Sequence, residues 1–181
     1  MRATAQGTAF FPPHTFDEHI EAFTSEWYGK HLRAMNEPSL WAAASRGDVV
    51  YRFLWLRTWG RPIAVRVTVD GAKSRLVVTR LSGSGGYEPG HVELHRERDL
   101  DRADVLRIDS ALAAADYDTT STEGEAGMDG AEWIIERAAA GTYRLVERWS
   151  PVPTGPSASF RAACDVFLEL AGRDVITGDI Y

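Results

Sequence analysis

Four carboxylates crowd the stretch "GMDGAEWIIERAAAGTYRLVERWSP", residues 127–151: Asp129, Glu132, Glu136 and Glu147. Two carboxyl groups can divide acid and base roles when their surroundings separate their pKa values, and glycosidic chemistry uses such a pair. Glu132 and Glu136 would lie on one face of a strand, flanking Ile134, because residues an even number apart share a face. Arginines are interleaved with them: Arg137, Arg144 and Arg148 in the same stretch, Arg52, Arg66 and Arg80 upstream. Opposite charges facing one another across strands stabilise a solvated sheet face. The stretch therefore reads as an Arg/Glu-laced hairpin, available as an interface, rather than as an acidic catalytic centre.

Other chemistries find less support. In "HVELH", His91, Glu93 and His95 share one strand face, but at roughly 3.3 Å per residue the two histidines stand about 13 Å apart and cannot chelate one ion. The helical HExxH pattern is absent, and no metal site is expected. "GSGG" at 83–86 lacks the Lys-Ser/Thr of a phosphate-binding loop, and no helix pattern follows it. No G-x-S-x-G elbow occurs. Cys164, the single cysteine, falls mid-helix beside an inward-facing alanine, as a packed and inert thiol would. No catalytic residue and no cofactor are expected.

The elements that would hold these residues follow from periodicity. Phe16, Ile20, Phe23, Trp27 and His31 recur at spacings of three and four, one face of a helix, with Thr15 and Glu18 in capping-box register. Leu40–Ser45 suggests a short second helix. The period then changes to two: 49–60, 61–71, 74–83 and 91–100 read as strands joined by glycine-containing links. Residues 101–115 read as a helix with Val105, Ile108, Leu112 and Ala115 inward, and 116–130 as a polar, mobile loop. Strands at 131–138 and 142–149 turn at Ala140-Gly141, and a last helix at 157–172 buries Phe160, Ala163, Phe167 and Leu170. The implied fold class is α+β: a mostly antiparallel sheet of about six strands with three or so helices packed on one face. Residues 1–15 form a flexible N-terminal arm and 16–181 a single domain.

The 181 residues suffice for one well-buried core. The net charge of −6 argues against a nucleic-acid surface, which needs a basic footprint. No run approaches the roughly 18 apolar residues of a membrane span. With one cysteine and no apolar leader, a cytoplasmic location is expected. Lysine occurs only at Lys30 and Lys73 against 18 arginines, a composition suggesting a bacterium with GC-rich coding.

The strings D-G-x-x-W-x-x-E (Asp129, Gly130, Trp133, Glu136), G-x-Y (Gly141, Tyr143), R-W-S-P (Arg148, Trp149, Ser150, Pro151) and F-R-x-x-C (Phe160, Arg161, Cys164) together resemble a set of small bacterial proteins of uncharacterised function. The likeness extends to "NEPSL" at 36–40, "YRFLWL" at 51–56 and "GGYEPG" at 85–90. It implies no activity and transfers no catalytic residue. Trp133 and Trp149 are expected to be buried aromatics.

The function that fits these features is a non-enzymatic binding protein, such as an immunity or accessory factor, recognising another protein through a sheet face or loops. Its binding residues would be Asp118, Glu123 and Glu125 in the polar loop and Arg52, Arg66 and Arg80 on the strands, since loop carboxylates steer a basic partner and arginine is enriched at interface hot spots. The alternative is a small hydrolytic or small-molecule-binding enzyme whose site assembles from distant residues, for instance His91, Glu93 and Arg66.

Overall fold

The structure, a computed structural model, describes residues 9–71, 73–121 and 127–181. Helix α1 (Glu21–Ala34) and the short α2 (Leu40–Ser45) precede four strands, β1 (Val49–Arg57), β2 (Ile63–Asp70), β3 (Lys73–Leu81) and β4 (Val92–Leu100). Helix α3 (Arg102–Ala114), strands β5 (Ala131–Ala139) and β6 (Thr142–Trp149), helix α4 (Ala158–Ala171) and a 3-10 turn (Arg173–Val175) complete the chain. The six strands form one antiparallel sheet in the order β4-β3-β2-β1-β5-β6. The α+β class and the six-stranded antiparallel sheet agree with the period-two reading.

Strand β1 takes a central position because its residues are apolar or paired at both parities. Tyr51, Phe53 and Trp55 point to one face, Val50, Arg52, Leu54 and Leu56 to the other, and all are buried. A strand buried on both sides needs cover on both sides. The helices accordingly divide between the faces, where the sequence reading put them on one. Helices α3 and α4 cover the first face, packing Ile108, Leu112, Phe160, Phe167 and Leu170 onto Phe53, Val65, Val78 and Trp133. Helix α1 covers the second with Tyr28, Leu32 and Met35 over Leu54, Leu56, Ala64 and Ile134, and α2 adds Leu40, Ala43 and Ala44 over Val50 and Ala138. Strand β4 is an edge strand whose mostly exposed, charged residues discourage pairing with another sheet. Ala140 and Gly141 both have positive φ, which gives the β5–β6 hairpin its two-residue turn.

Two readings of the N-terminal region are corrected. Of the arm taken as flexible over 1–15, the described part is docked: Phe11 is buried against Phe16 and Tyr28, and Ser39 donates to the carbonyl of Ala9. Helix α1 begins at Glu21 rather than at Phe16, because the Thr15 hydroxyl that would cap it donates instead to the Pro12 carbonyl. The helix is also turned relative to its most obvious apolar stripe. It buries Thr24, Tyr28, Gly29, His31 and Leu32, while Ile20 and Phe23 face outward.

Candidate functional site

Strand parity places Arg52, Glu132, Glu136 and Glu147 on the second face, whereas Arg57, Arg137, Arg144 and Arg148 fall on the first. Arg52 and Glu136 are direct cross-strand neighbours, as are Leu56 and Glu132 on β1 and β5, and Ile134 and Glu147 on β5 and β6. They make two groups with different fates.

The first group is closed. The fully buried Arg52 guanidinium places Nη2 2.7 Å from both oxygens of Glu136 and Nε 2.8 Å from Oε1. Its Nη1 donates to Pro38 O (2.7 Å) and to Glu37 Oε2 (3.3 Å), and Glu37 also accepts from Arg66 Nε (2.9 Å). The Tyr143 hydroxyl donates to Glu136 Oε2 at 3.0 Å. Every charge in this cluster has a counter-charge, so it sets the docking of the chain around Glu37 and α2 against the sheet. The charge pairing was legible across strands, but the face that carries it is buried rather than solvated.

The second group is open. Beside Leu56 the sheet, α1, the loop after β3 and the loop before β5 leave a cleft of about 460 Å³. Ile20, Phe23, Trp27 and Tyr28 of the α1 region form one wall, Trp149 and Met128 the opposite one, and Gly85, Gly86 and Tyr87 a third. Glu132 lies on the floor, and Glu147 is beside it, accepting a 2.7 Å bond from the Tyr28 hydroxyl. Burial, then the charge of Glu147, pushes the Glu132 carboxyl up to about 8, against the smaller opposing pull of Tyr28. Burial raises Glu147 as well, countered by Tyr28 and Arg148. Tyr28 is raised in turn by burial and by the two glutamates, so its hydroxyl stays protonated. Near neutral pH the floor offers a carboxylic acid able to donate, accept or lose a proton in apolar surroundings.

The glycines of "GSGG" build a wall and do not cradle phosphate. Gly83, Ser84, Gly85 and Gly86 donate their amides to the carbonyls of Pro89, Glu88, Gly60 and Thr58. A Cβ on Gly85 would stand 2.6 Å from the backbone of Arg57, so only glycine lets this loop lie against the end of β1. On the opposite wall, a Cβ on Gly130 would come within 2.7 Å of the Trp149 ring.

The residues singled out in the sequence do not assemble into one site. Arg52 is sealed inside the first group, and Arg66 is held by Glu37. Arg80 binds Glu93 and the carbonyls of Asp174 and Val175. Asp118 is exposed and paired with Arg137, while Glu123 and Glu125 lie outside the described residues. His91 bonds Ser82, Glu93 pairs with Arg61 and Arg80, and His95 bonds Thr79 and Glu97, so His91, Glu93 and Arg66 are not brought together. Among the described residues no group of three or more His, Cys, Asp or Glu is placed to hold a metal, and no helix is long and apolar enough to cross a membrane. Cys164 is buried, and burial pushes its thiol well up. Trp133 is buried as expected; Trp149 is only partly so, because one side of it faces the cleft.

The cleft residues were visible in the sequence only as an excess. Helix α1 carries two apolar stripes, Ile20/Phe23/Trp27 and Tyr28/Leu32/Met35, where docking on a sheet needs one. No protein-family model matches the chain, and neither a curated protein nor a solved structure is significantly similar to it.

Proposed function

We propose that this is a binding protein whose cleft holds a small organic molecule with an apolar, in part aromatic, body. The observation that carries the reading is where the chain leaves its large apolar side chains exposed. Of eight such residues among those described, Ile20 (48%), Phe23 (68%), Tyr87 (51%) and Met128 (92%) line this one concavity, and a fifth, Trp59, packs on Tyr87 with ring centroids 5.1 Å apart. Scattered exposed apolar residues are ordinary, whereas their convergence on a cleft of ligand size, with a few polar groups at its floor, marks a binding site. Helices lie over both sheet faces, and the sheet residues Leu56 and Glu132 are reached through this cleft. A second reading, a protein partner that inserts one side chain into the cleft, is favoured by the projection of Met128 at the rim.

The test is a thermal-shift screen of small aromatic compounds, followed by titration of Trp27 and Trp149 fluorescence. A binder present at about one hundred times its Kd should stabilise the fold by about 2.7 kcal/mol. Its binding should weaken in the double variant Phe23→Ala/Met128→Ala, whose exposed positions leave stability within about 0.5 kcal/mol. The reading fails if the screen gives no binder, or if binders keep full affinity for the double variant.

A further inference from the structure

Resting on that reading, we propose that the cleft selects an organic amine, its protonated nitrogen seated at Glu132 and Glu147 and its apolar body against Phe23, Trp27 and Trp149.

The first support is a contrast within one face of the sheet. The buried carboxylates Glu37 and Glu136 are ion-paired to Arg52 and Arg66. Glu132 and Glu147 are also withdrawn from water, yet no salt bridge reaches either carboxyl group among the described residues, and their shared partner is the Tyr28 hydroxyl. A half-buried acidic pair whose nearest cation, Arg148, makes no salt bridge to it stays uncharged in part, or takes a cation from outside.

The groups around the pair leave that place to a ligand. On α1, Thr24 and Tyr28 line the cleft, and His31 turns its ring nitrogens to the carbonyls of Trp27 and Ser84. Lys30 stays at the rim, 3.9 Å from the centroid of the Trp27 ring and 3.5 Å from Glu88. Thr58, just past β1, and Tyr87, in the loop after β3, also line the cleft. Before β5, Asp129 accepts from the Trp59 indole. Arg148, next to Glu147 on β6, donates Nη1 to the Glu147 backbone carbonyl (2.6 Å) and reaches Thr120, Ser121 and the Phe160 ring; its charge draws the Glu147 carboxyl down, but it makes no salt bridge with it.

The second support is the lining. Aromatic faces attract cations, and an ammonium group between such faces and a carboxylate gains from both. A carboxylate ligand would instead face Glu132 and Glu147 without a compensating donor cluster.

Binding would be coupled to a proton. At pH 7 the Glu132 carboxyl, with a value near 8, is mostly protonated. Seating R–NH3+ on it ionises the acid, and the proton goes to solvent. Affinity for an amine should therefore rise as the pH rises towards 8 and then level off until the amine itself loses its charge.

Three probes of one shape decide the matter: tryptamine, the neutral alcohol tryptophol and the anion indole-3-propanoate. Isothermal titration in two buffers of different ionisation enthalpy counts protons. Tryptamine should bind about ten-fold or more tighter than tryptophol at pH 8, the propanoate weakest, as a charge-assisted hydrogen bond implies. Close to one proton should be released per amine at pH 7, and close to none at pH 9.5. Glu132→Gln, which keeps the shape of the protonated acid, should bring tryptamine down to the affinity of tryptophol and abolish the proton release; Glu147→Gln should lower amine affinity in the same direction. Equal binding of alcohol and amine, preference for the propanoate, or amine binding without proton release overturns the proposal while leaving small-molecule binding intact. If none of the three binds while the screen gives neutral or acidic binders, the amine proposal alone falls; if the screen is empty too, both fall.

Discussion

The two faces of the sheet are made by the same strands, one residue out of step, and they serve different ends. On the α3/α4 face the strands present Tyr51, Phe53, Trp55, Val65, Trp133, Ile135 and Val146; Trp55 and Trp133 pack across the strands with ring centroids 4.8 Å apart, and α4 closes over them with Phe167 6.0 Å from Phe53. On the α1/α2 face the intervening positions include Arg52, Glu132, Glu136 and Glu147, and the cover is incomplete. One face is a dry core whose stability should not depend on pH. The other combines a sealed ion network with an unsealed acidic cleft, where protonation matters. A central strand that is well anchored on one side leaves its other side free to carry polar groups that a lone sheet face could not hold in place.

The sharpest test of this contrast lies in the sealed network. Glu136→Ala would leave the Arg52 cation buried beside Glu37 alone and should cost about 3–5 kcal/mol in a denaturant titration. Trp133→Ala on the dry face should cost a similar ~3–5 kcal/mol through the cavity it leaves, and by the same amount at pH 5 and pH 9. A loss under ~1 kcal/mol for Glu136→Ala would show that water enters the network and that the face is less closed than described.

Next comes Glu132. Its folded value, near 8, lies above the ordinary value of 4.5, so between these two pH values the folded state holds a proton that the unfolded chain has lost. Its contribution to stability is therefore present at low pH, is lost progressively as pH rises from 4.5 to 8, and is level beyond. Glu132→Gln removes this loss. The variant should match the parent at pH 4 and exceed it by several degrees in Tm at pH 8–9; a Tm difference that does not change with pH would remove Glu132 from the acidic pair. Smaller again, Tyr28→Phe deletes one hydrogen bond to Glu147 and should cost about 0.5–1.5 kcal/mol in the same titrations. Smallest of all, Asp118→Asn breaks an exposed pair with Arg137 and should stay within about 0.5 kcal/mol of the parent. A larger loss would make the region around Asp118 structural.

How much of this the sequence disclosed depended on whether the deciding force was local. The six strands and α4 were legible because alternation and a single apolar stripe each have one folded solution; Phe160, Ala163, Phe167 and Leu170 all face inward. The Arg52–Glu136 attraction was legible as a charge pattern, but its burial was not, since no local rule says which side chains will cover a sheet face. Helix α1 misled because Ile20, Phe23 and Trp27 satisfy the helical period as well as Tyr28 and Leu32 do. The choice between the stripes is made by Leu54, Leu56 and Ile134, which lie 20 to 110 positions further on. The cleft was illegible for the same reason: its lining comes from five separated segments, and no short motif spans them.

The strand order bears on when the cleft comes into existence. Strands β1 to β4 pair with their sequence neighbours, whereas β1 and β5 meet across the whole of β2, β3, β4 and α3. Closing that long loop carries a chain-entropy cost that the hairpins do not have, and pairings between distant segments are slow to form. The amides of β2 and β3 should thus gain protection early in a pulsed hydrogen-exchange refolding experiment, ahead of those of β5, β6 and α1. The opposite order would mean that the β5–β6 hairpin and α1 nucleate the molecule. On the first order the floor carboxyls and the aromatic wall meet only at the last long-range closure, and a ligand of the cleft would recognise finished molecules alone.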